Sequence, residues 1–188
     1  FDHQKDVFRT RMPAFVVICP PAQYSQVGLR FRTLSGNDGA LNLSLPFAFN
    51  FAGTAYTAVH ITTNGWISLN GSGAAETNNA TLFNSAAPNV TLAPWFDDLR
   101  DDNTGTVNYK TEGAAPNRVF TVEWYKVRTY YTSSVPYARI NFQAKLYEGS
   151  NVIEFHYGSY ESGNHNGNES ASIGMEDAVG GAGHFIEA

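Results

Sequence analysis

The sequence predicts an all-β fold, an antiparallel two-sheet β-sandwich of jelly-roll-like kind with little or no helix. Three observations carry that prediction. Apolar and polar residues alternate with period two along most segments, the pattern of strands with one buried face. No stretch of about ten or more residues spaces its apolar side chains for a helix. Gly, Pro and Asn interrupt the alternation at short intervals, as they do in sandwiches and jelly rolls.

Taken in order, the elements begin with the apolar run Pro13-Ala14-Phe15-Val16-Val17-Ile18, which leads into Cys19. A cysteine in such a run reads as a buried structural thiol rather than a nucleophile. Val27, Leu29 and Phe31 then alternate with Arg30 and Arg32, and Leu41, Leu43 and Leu45 with Asn42 and Ser44. Phe47, Phe49 and Phe51 continue the series after Pro46. Thr57, Val59 and Ile61 lead into Thr62-Thr63-Asn64-Gly65, where Asn-Gly supplies the positive φ of a tight hairpin turn, and Trp66 to Leu69 returns. Residues 71–88, small and polar, read as a loop. Thr106-Val107-Asn108-Tyr109 reads as a strand, as does the segment in which Phe120, Val122 and Trp124 alternate with Thr121 and Glu123. Val127 to Pro136 reads as a hairpin arm. In Ala138 to Tyr147, Ile140, Phe142, Ala144 and Leu146 share one face, while Arg139, Asn141, Gln143 and Lys145 share the other. Glu148-Gly149-Ser150-Asn151 turns the chain, and Val152 to Tyr157 returns with Ile153 and Phe155 opposite Glu154 and His156, completing a hairpin. Residues 159–170 read as a second loop. Strands on both sides of each loop share one pattern, so residues 1–188 are expected to form one domain, with divergent N-terminal strands over 1–40.

Composition removes several partners. Charged residues make up 15% of the chain and the net charge is −5, which excludes nucleic acid and anionic membrane surfaces, because both need clustered Lys and Arg. No apolar stretch approaches the roughly 20 residues that span a bilayer, so membrane insertion is not expected. Cys19 is the single cysteine and forms no disulfide within the chain, which fits a reducing compartment or a bacterial surface protein. Sequons at Asn42, Asn70, Asn79, Asn89 and Asn168 arise easily by chance in an Asn- and Thr-rich chain. The chain opens on Phe1 rather than Met, as a processed or excised piece would.

Two clusters stand out as candidate sites. Asp97, Asp98, Asp101, Asp102 and Asn103 bring carboxylate and amide oxygens together in the types that Ca2+ binds, which would order loops at one end of a sandwich. An EF-hand is rejected, since Gly105 and Thr106 fall where a ligand and the turn glycine belong. The competing reading is a solvated acidic turn whose Asp side chains cap their own backbone. Tyr125, Tyr130, Tyr131 and Tyr137 surround the 127–136 arm as candidate ligand-binding residues that stack on sugars or anchor a protein; the alternative is tyrosines that only cover a sheet. His3, His60, His156, His165 and His184 have no metal-ligand spacing, and His60 and His156 read as surface or hydrogen-bonded imidazoles. Nucleophile-elbow, dinucleotide and P-loop patterns are missing from the sequence. Glu123 and Glu154 are the carboxylates a glycoside hydrolase would need, but they read as surface charge on the polar faces of their strands.

Leu45-Pro46-Phe47-Ala48-Phe49, Asn64-Gly65-Trp66-Ile67-Ser68 and Ala93-Pro94-Trp95-Phe96-Asp97-Asp98-Leu99 occur in order, followed by Val119 to Trp124, Phe142-Gln143, Leu146-Tyr147-Glu148-Gly149 and Ile173-Gly174-Met175-Glu176. With these residues the chain resembles extracellular β-sandwich modules of large bacterial secreted and surface proteins, gliding- and adhesion-associated ones among them, and more distantly the nidogen-type domain. The resemblance covers 41–188; the first 40 residues show no such match, and within them Met12 to Gln26 is unusual enough to suggest specialisation. It implies a non-catalytic binding or adhesion module, extracellular or at the cell surface, within a larger multidomain chain, with a protein or glycan ligand. A carbohydrate-binding module of a secreted hydrolase is the alternative.

Overall fold

The computed structural model of the chain describes residues 16–19, 24–26, 31–34, 36–70, 87–102, 104–129, 138–161 and 171–187. Among them are strands and turns and no helix, as the period-two pattern predicts. The strands are β1 (Val16–Cys19), β2 (Phe31–Leu34), β3 (Gly36–Asn37), β4 (Ala40–Phe51), β5 (Thr54–Thr62), β6 (Ile67–Ser68) and β7 (Thr91–Phe96). They continue with β8 (Leu99–Asp101), β9 (Thr106–Glu112), β10 (Val119–Thr129), β11 (Arg139–Tyr147), β12 (Ile153–Glu161), β13 (Ser172–Glu176) and β14 (Phe185–Glu187).

Two sheets form the sandwich. The eight-stranded sheet runs β1-β12-β11-β10-β8-β3, with β9 also on β10 and β2 on β9; the six-stranded sheet runs β14-β13-β7-β6-β5-β4. Among the described strands every pairing is antiparallel except that of β1, which lies parallel on β12 at the edge of the larger sheet. The core between the sheets is the apolar face of each alternating strand: Val59 and Ile61, Phe120, Val122 and Trp124, Ile140, Phe142, Ala144 and Leu146 are all buried. Trp124 stacks on Phe142 with ring centroids 4.9 Å apart and donates its indole N–H to Thr62 O at 2.9 Å, tying one sheet to the other.

Two irregularities make the core continuous. Strand β4 runs unbroken through Pro46 and buries Leu45, Phe47, Phe49 and Phe51, but its pairing with β5 shifts register between Ser44 and Phe49. Proline has no N–H for the ladder, so the lapse falls where one donor is missing. In β10 a bulge lies between Trp124 and Val127, with Lys126 at φ +51°. The extra residue turns Val127 back into the core, where strict alternation from Trp124 would point it outward. Asn141 accepts the Lys126 N–H at 2.9 Å and Arg139 donates to Lys126 O at 3.0 Å, so the backbone groups freed by the bulge are satisfied.

Two sequence expectations change. Ser159 to Glu161 is strand rather than loop, because Ile140 and Arg139 pair with Tyr160 and Glu161 and extend the ladder. The polar face of the larger sheet is not a solvated face: Glu123 and Gln143 have no exposed surface, and Asn108, Thr121, Asn141 and His156 are buried as well. Tyr24 and Ser25 lie over Glu123 and Gln143 and hydrogen-bond to them. Residues 71–86, most of the first expected loop, lie outside the described residues, as do 27–30, His3, His165, the Cys19 side chain and residues 162–170.

Candidate functional site

Asn64 and Gly65 hold one end of the sandwich together. Trp95 passes so close to Gly65 that a Cβ there would lie 1.7 Å from Trp95 O, and the residue's φ is +77°, so only glycine fits. Asn64 is fully buried and bonded on every side. Its carbonyl accepts Asp97 N–H at 3.3 Å, its Oδ1 accepts Leu99 N–H at 3.0 Å, and its Nδ2 donates to Asp38 Oδ1 at 3.1 Å. The Asn-Gly turn and the Asp-Asp-Leu bend, far apart in sequence, are therefore one structural unit. Asp38 joins it unforeseen; the only sequence signal was the turn-forming run Asn37-Asp38-Gly39.

The structure splits the acidic cluster. Asp97 Oδ1 caps the Asp98 N–H at 2.8 Å, in the manner of an acidic turn. Burial, with the charge of Asp38 adding to it, pushes the Asp98 carboxyl above the usual carboxylate range, against a downward pull from Arg100. Asp101, in β8, is buried rather than solvated, with 3% of its surface exposed. Asp102 accepts Arg139 Nη1 and Nη2 at 3.0 and 2.7 Å and pairs with Arg128 Nε at 3.1 Å. Those bonds from Arg139, chiefly, hold its carboxyl below the usual range. Asn103 lies outside the described residues. Among the described residues no three His, Cys, Asp or Glu side chains are grouped to hold a metal ion.

The tyrosine cluster is described at one position. Tyr125 is half-buried at the β10 bulge, its ring 5.9 Å from the Lys126 ammonium. Tyr130, Tyr131 and Tyr137, between β10 and β11 in the sequence, lie outside the described residues. The aromatic group that the structure assembles here is a different one. Trp95 stacks near Phe142 at 6.4 Å and meets Tyr157 edge-on at 6.5 Å, while Tyr157 donates its hydroxyl to Pro94 O at 2.6 Å. These rings, with Ile140, Ser159 and Tyr160, line a pocket of about 150 Å3, and Tyr160 is half exposed at its rim. Sequence reasoning missed Tyr157 and Tyr160 as a site because they stood at the edge of an expected loop.

The carboxylates considered for hydrolysis have other partners. Glu123, expected at the surface, is fully buried, and its Oε1 accepts Tyr24 Oη at 2.8 Å and Gln143 Nε2 at 2.9 Å. Glu154 Oε2 accepts Tyr147 Oη at 2.5 Å and lies 2.8 Å from His156 Nε2. His60 is buried with Nδ1 2.6 Å from Asn42 Oδ1, and burial lowers its pKa, which keeps it neutral. Ser68, across the ladder from His60, places its Oγ 2.8 Å from both Asn70 Oδ1 and Asn89 O. His184 Nδ1 lies 2.9 Å from Asp177 Oδ2 in the turn between β13 and β14.

Compared with known families, residues 19–187 match a family model described as NIDO related. Comparison with curated proteins and with solved structures gives no match.

Proposed function

The chain belongs to the nidogen-related family, and from that premise we propose that it is a non-catalytic binding or adhesion module of a secreted or cell-surface protein. It is one unit of a larger chain and meets a protein or glycan partner with one end of its sandwich. The observation that carries this reading is the convergence at that end: the Asn64-clamped bend with Asp97 and Asp98, the pocket walled by Trp95, Tyr157 and Tyr160, and the strand ends that lead into Tyr130, Tyr131 and Tyr137. Rigid aromatic rings beside fixed charges give a partner large contact area at small entropic cost. The non-catalytic part is supported by Glu123 and Glu154, whose carboxylates are engaged by internal partners.

Pull-downs from extracellular material and a glycan array, run side by side, test the proposal. Binding should fall at least tenfold with Tyr160→Ala or Tyr131→Ala, and stay unchanged with Val179→Ala at the opposite end of the sandwich. Loss with Val179→Ala alone would move the site elsewhere. Millimolar or tighter affinity for a sugar, with no protein partner, selects the carbohydrate-binding alternative, which the ring-lined pocket favours. Calcium belongs to this proposal as an ion ordering the bend, and it would draw on Asp97 and Asp98, since Asp102 is already paired with Arg139 and Arg128. A ligand of the folded state alone raises stability, so melting in millimolar calcium should exceed melting in chelator. Superimposed curves remove calcium from the proposal.

A further inference from the structure

A row of polar side chains crosses the outer face of the larger sheet. Asn108, Glu123, Gln143 and His156 are successive cross-strand neighbours on β9, β10, β11 and β12, and their exposures are 1%, 0%, 0% and 5%. An outward face this polar is ordinarily wet. Here Tyr24 lays its ring over the sheet and donates its hydroxyl to Glu123 Oε1 at 2.8 Å, while Ser25 O accepts Gln143 Nε2 at 2.9 Å. Gly158 makes the room: a Cβ on it would lie 2.9 Å from the ring carbon Cδ1 of Tyr24. The segment thus offers one ring, one donor and one acceptor, and the sheet offers a matching socket. Just before it in the chain, β1 adds in parallel to the edge of β12 through four residues.

This attachment differs in kind from the rest of the fold. Tyr24 and Ser25 bond to Glu123 and Gln143 on the outer face of the larger sheet, so these two residues sit on the sandwich and not in it. Lifting them away uncovers an amide and a carboxylate that water can satisfy, at a small fraction of the cost of opening a core. Each copy of the chain carries both plug and socket. An exchange between two copies would therefore reproduce every contact of the closed form.

We propose that the Tyr24 segment is an exchangeable arm, and that the socket formed by Glu123, Gln143 and Gly158 accepts the same segment from a second copy of the chain. On the adhesive reading proposed above, on which this consequence rests, modules on one surface or on facing surfaces are thereby linked through their Tyr24 segments.

Two full-length variants separate plug from socket. Tyr24→Ala removes the plug and leaves the socket open; Gly158→Ala fills the socket and leaves the plug free. By sedimentation, each variant alone should be monomeric, and their mixture should form a one-to-one heterodimer. Two cooperatively melting variants that stay monomeric when mixed overturn the proposal, and so does equal self-association of each alone. A second measurement does not depend on Gly158→Ala folding. A labelled peptide of residues 22–28 should bind the Tyr24→Ala chain at least tenfold more tightly than the wild-type chain, whose own arm competes. Replacing the peptide's tyrosine by phenylalanine should weaken binding about tenfold or more, the effect of losing a hydrogen bond to a charged group. Equal binding to both chains, or no binding to the Tyr24→Ala chain, overturns the proposal as well.

Discussion

Gly65 and Asn64 show how much one dipeptide decides here. Alanine at position 65 would combine left-handed backbone strain of about 1–2 kcal/mol with a steric displacement of about 1–3 kcal/mol where its Cβ meets Trp95 O at 1.7 Å. Gly65→Ala should therefore lower unfolding free energy by roughly 2–5 kcal/mol in urea titration; a loss under about 0.5 kcal/mol, the range of an ordinary surface change, would contradict this geometry. Asp102 makes a pH prediction. Its carboxyl is held below the ordinary value of 3.8 by hydrogen bonds from Arg139. The stability it contributes is thus full above that value and is lost as pH falls through its folded pKa. Asp102→Asn should be less stable than wild type at pH 7, and the gap should narrow as the pH drops below about 4. A gap that stays constant across an acid titration would show that the ion pair is not its source. The Asn-Gly turn was legible in the sequence, since those residue types carry their own backbone preference. The pairing of Asp102 with Arg139 was not, because no local pattern names a partner so distant in the chain.

Among the elements, β10 repays the closest reading. Its apolar residues Phe120, Val122 and Trp124 alternate and then skip to Val127, and the skip marks the bulge. The bulge brings Lys126 N–H and O to Asn141 and Arg139, so the polar face of β11 serves the strand beside it. On the inner side, the Trp124 N–H reaches Thr62 O across the sandwich. Trp124→Phe removes that bond, leaves a buried carbonyl without its partner and opens a void, at a cost of about 2–4 kcal/mol. A midpoint within error of wild type in thermal melting would mean that the indole bond holds nothing. The β11–β12 hairpin was legible from its alternation and its Glu148-Gly149-Ser150-Asn151 turn. Its extension to Glu161 was not, because Gly158 and Ser159 resemble loop residues until Asn141 is seen bonding to Ser159.

Across the whole molecule, order should fall from the middle of the larger sheet to its edges. Strands β10 and β11 are paired on both sides and packed on the core, whereas β1 and β14 have one neighbour each among the described strands. Amide exchange should accordingly be slowest in β10 and β11 and fastest in β1 and β14. The rapid opening of β1 is also what an exchangeable arm requires. Exchange from β1 as slow as from β10 would show that the N-terminal segment opens only when the whole sandwich does.

The sequence by itself determined the class of fold and the inner face of nearly every strand, because a side-chain period of two is a local property of extended backbone. It also carried, in its ordered motifs, the resemblance to the family. Only the tertiary structure decided which polar residues are wet. Glu123 and Lys145 occupy the polar face of the same sheet, yet Tyr24 covers the first and the second stays partly exposed. Alternation says which way a side chain points; what lies there to meet it depends on segments brought together from far along the chain.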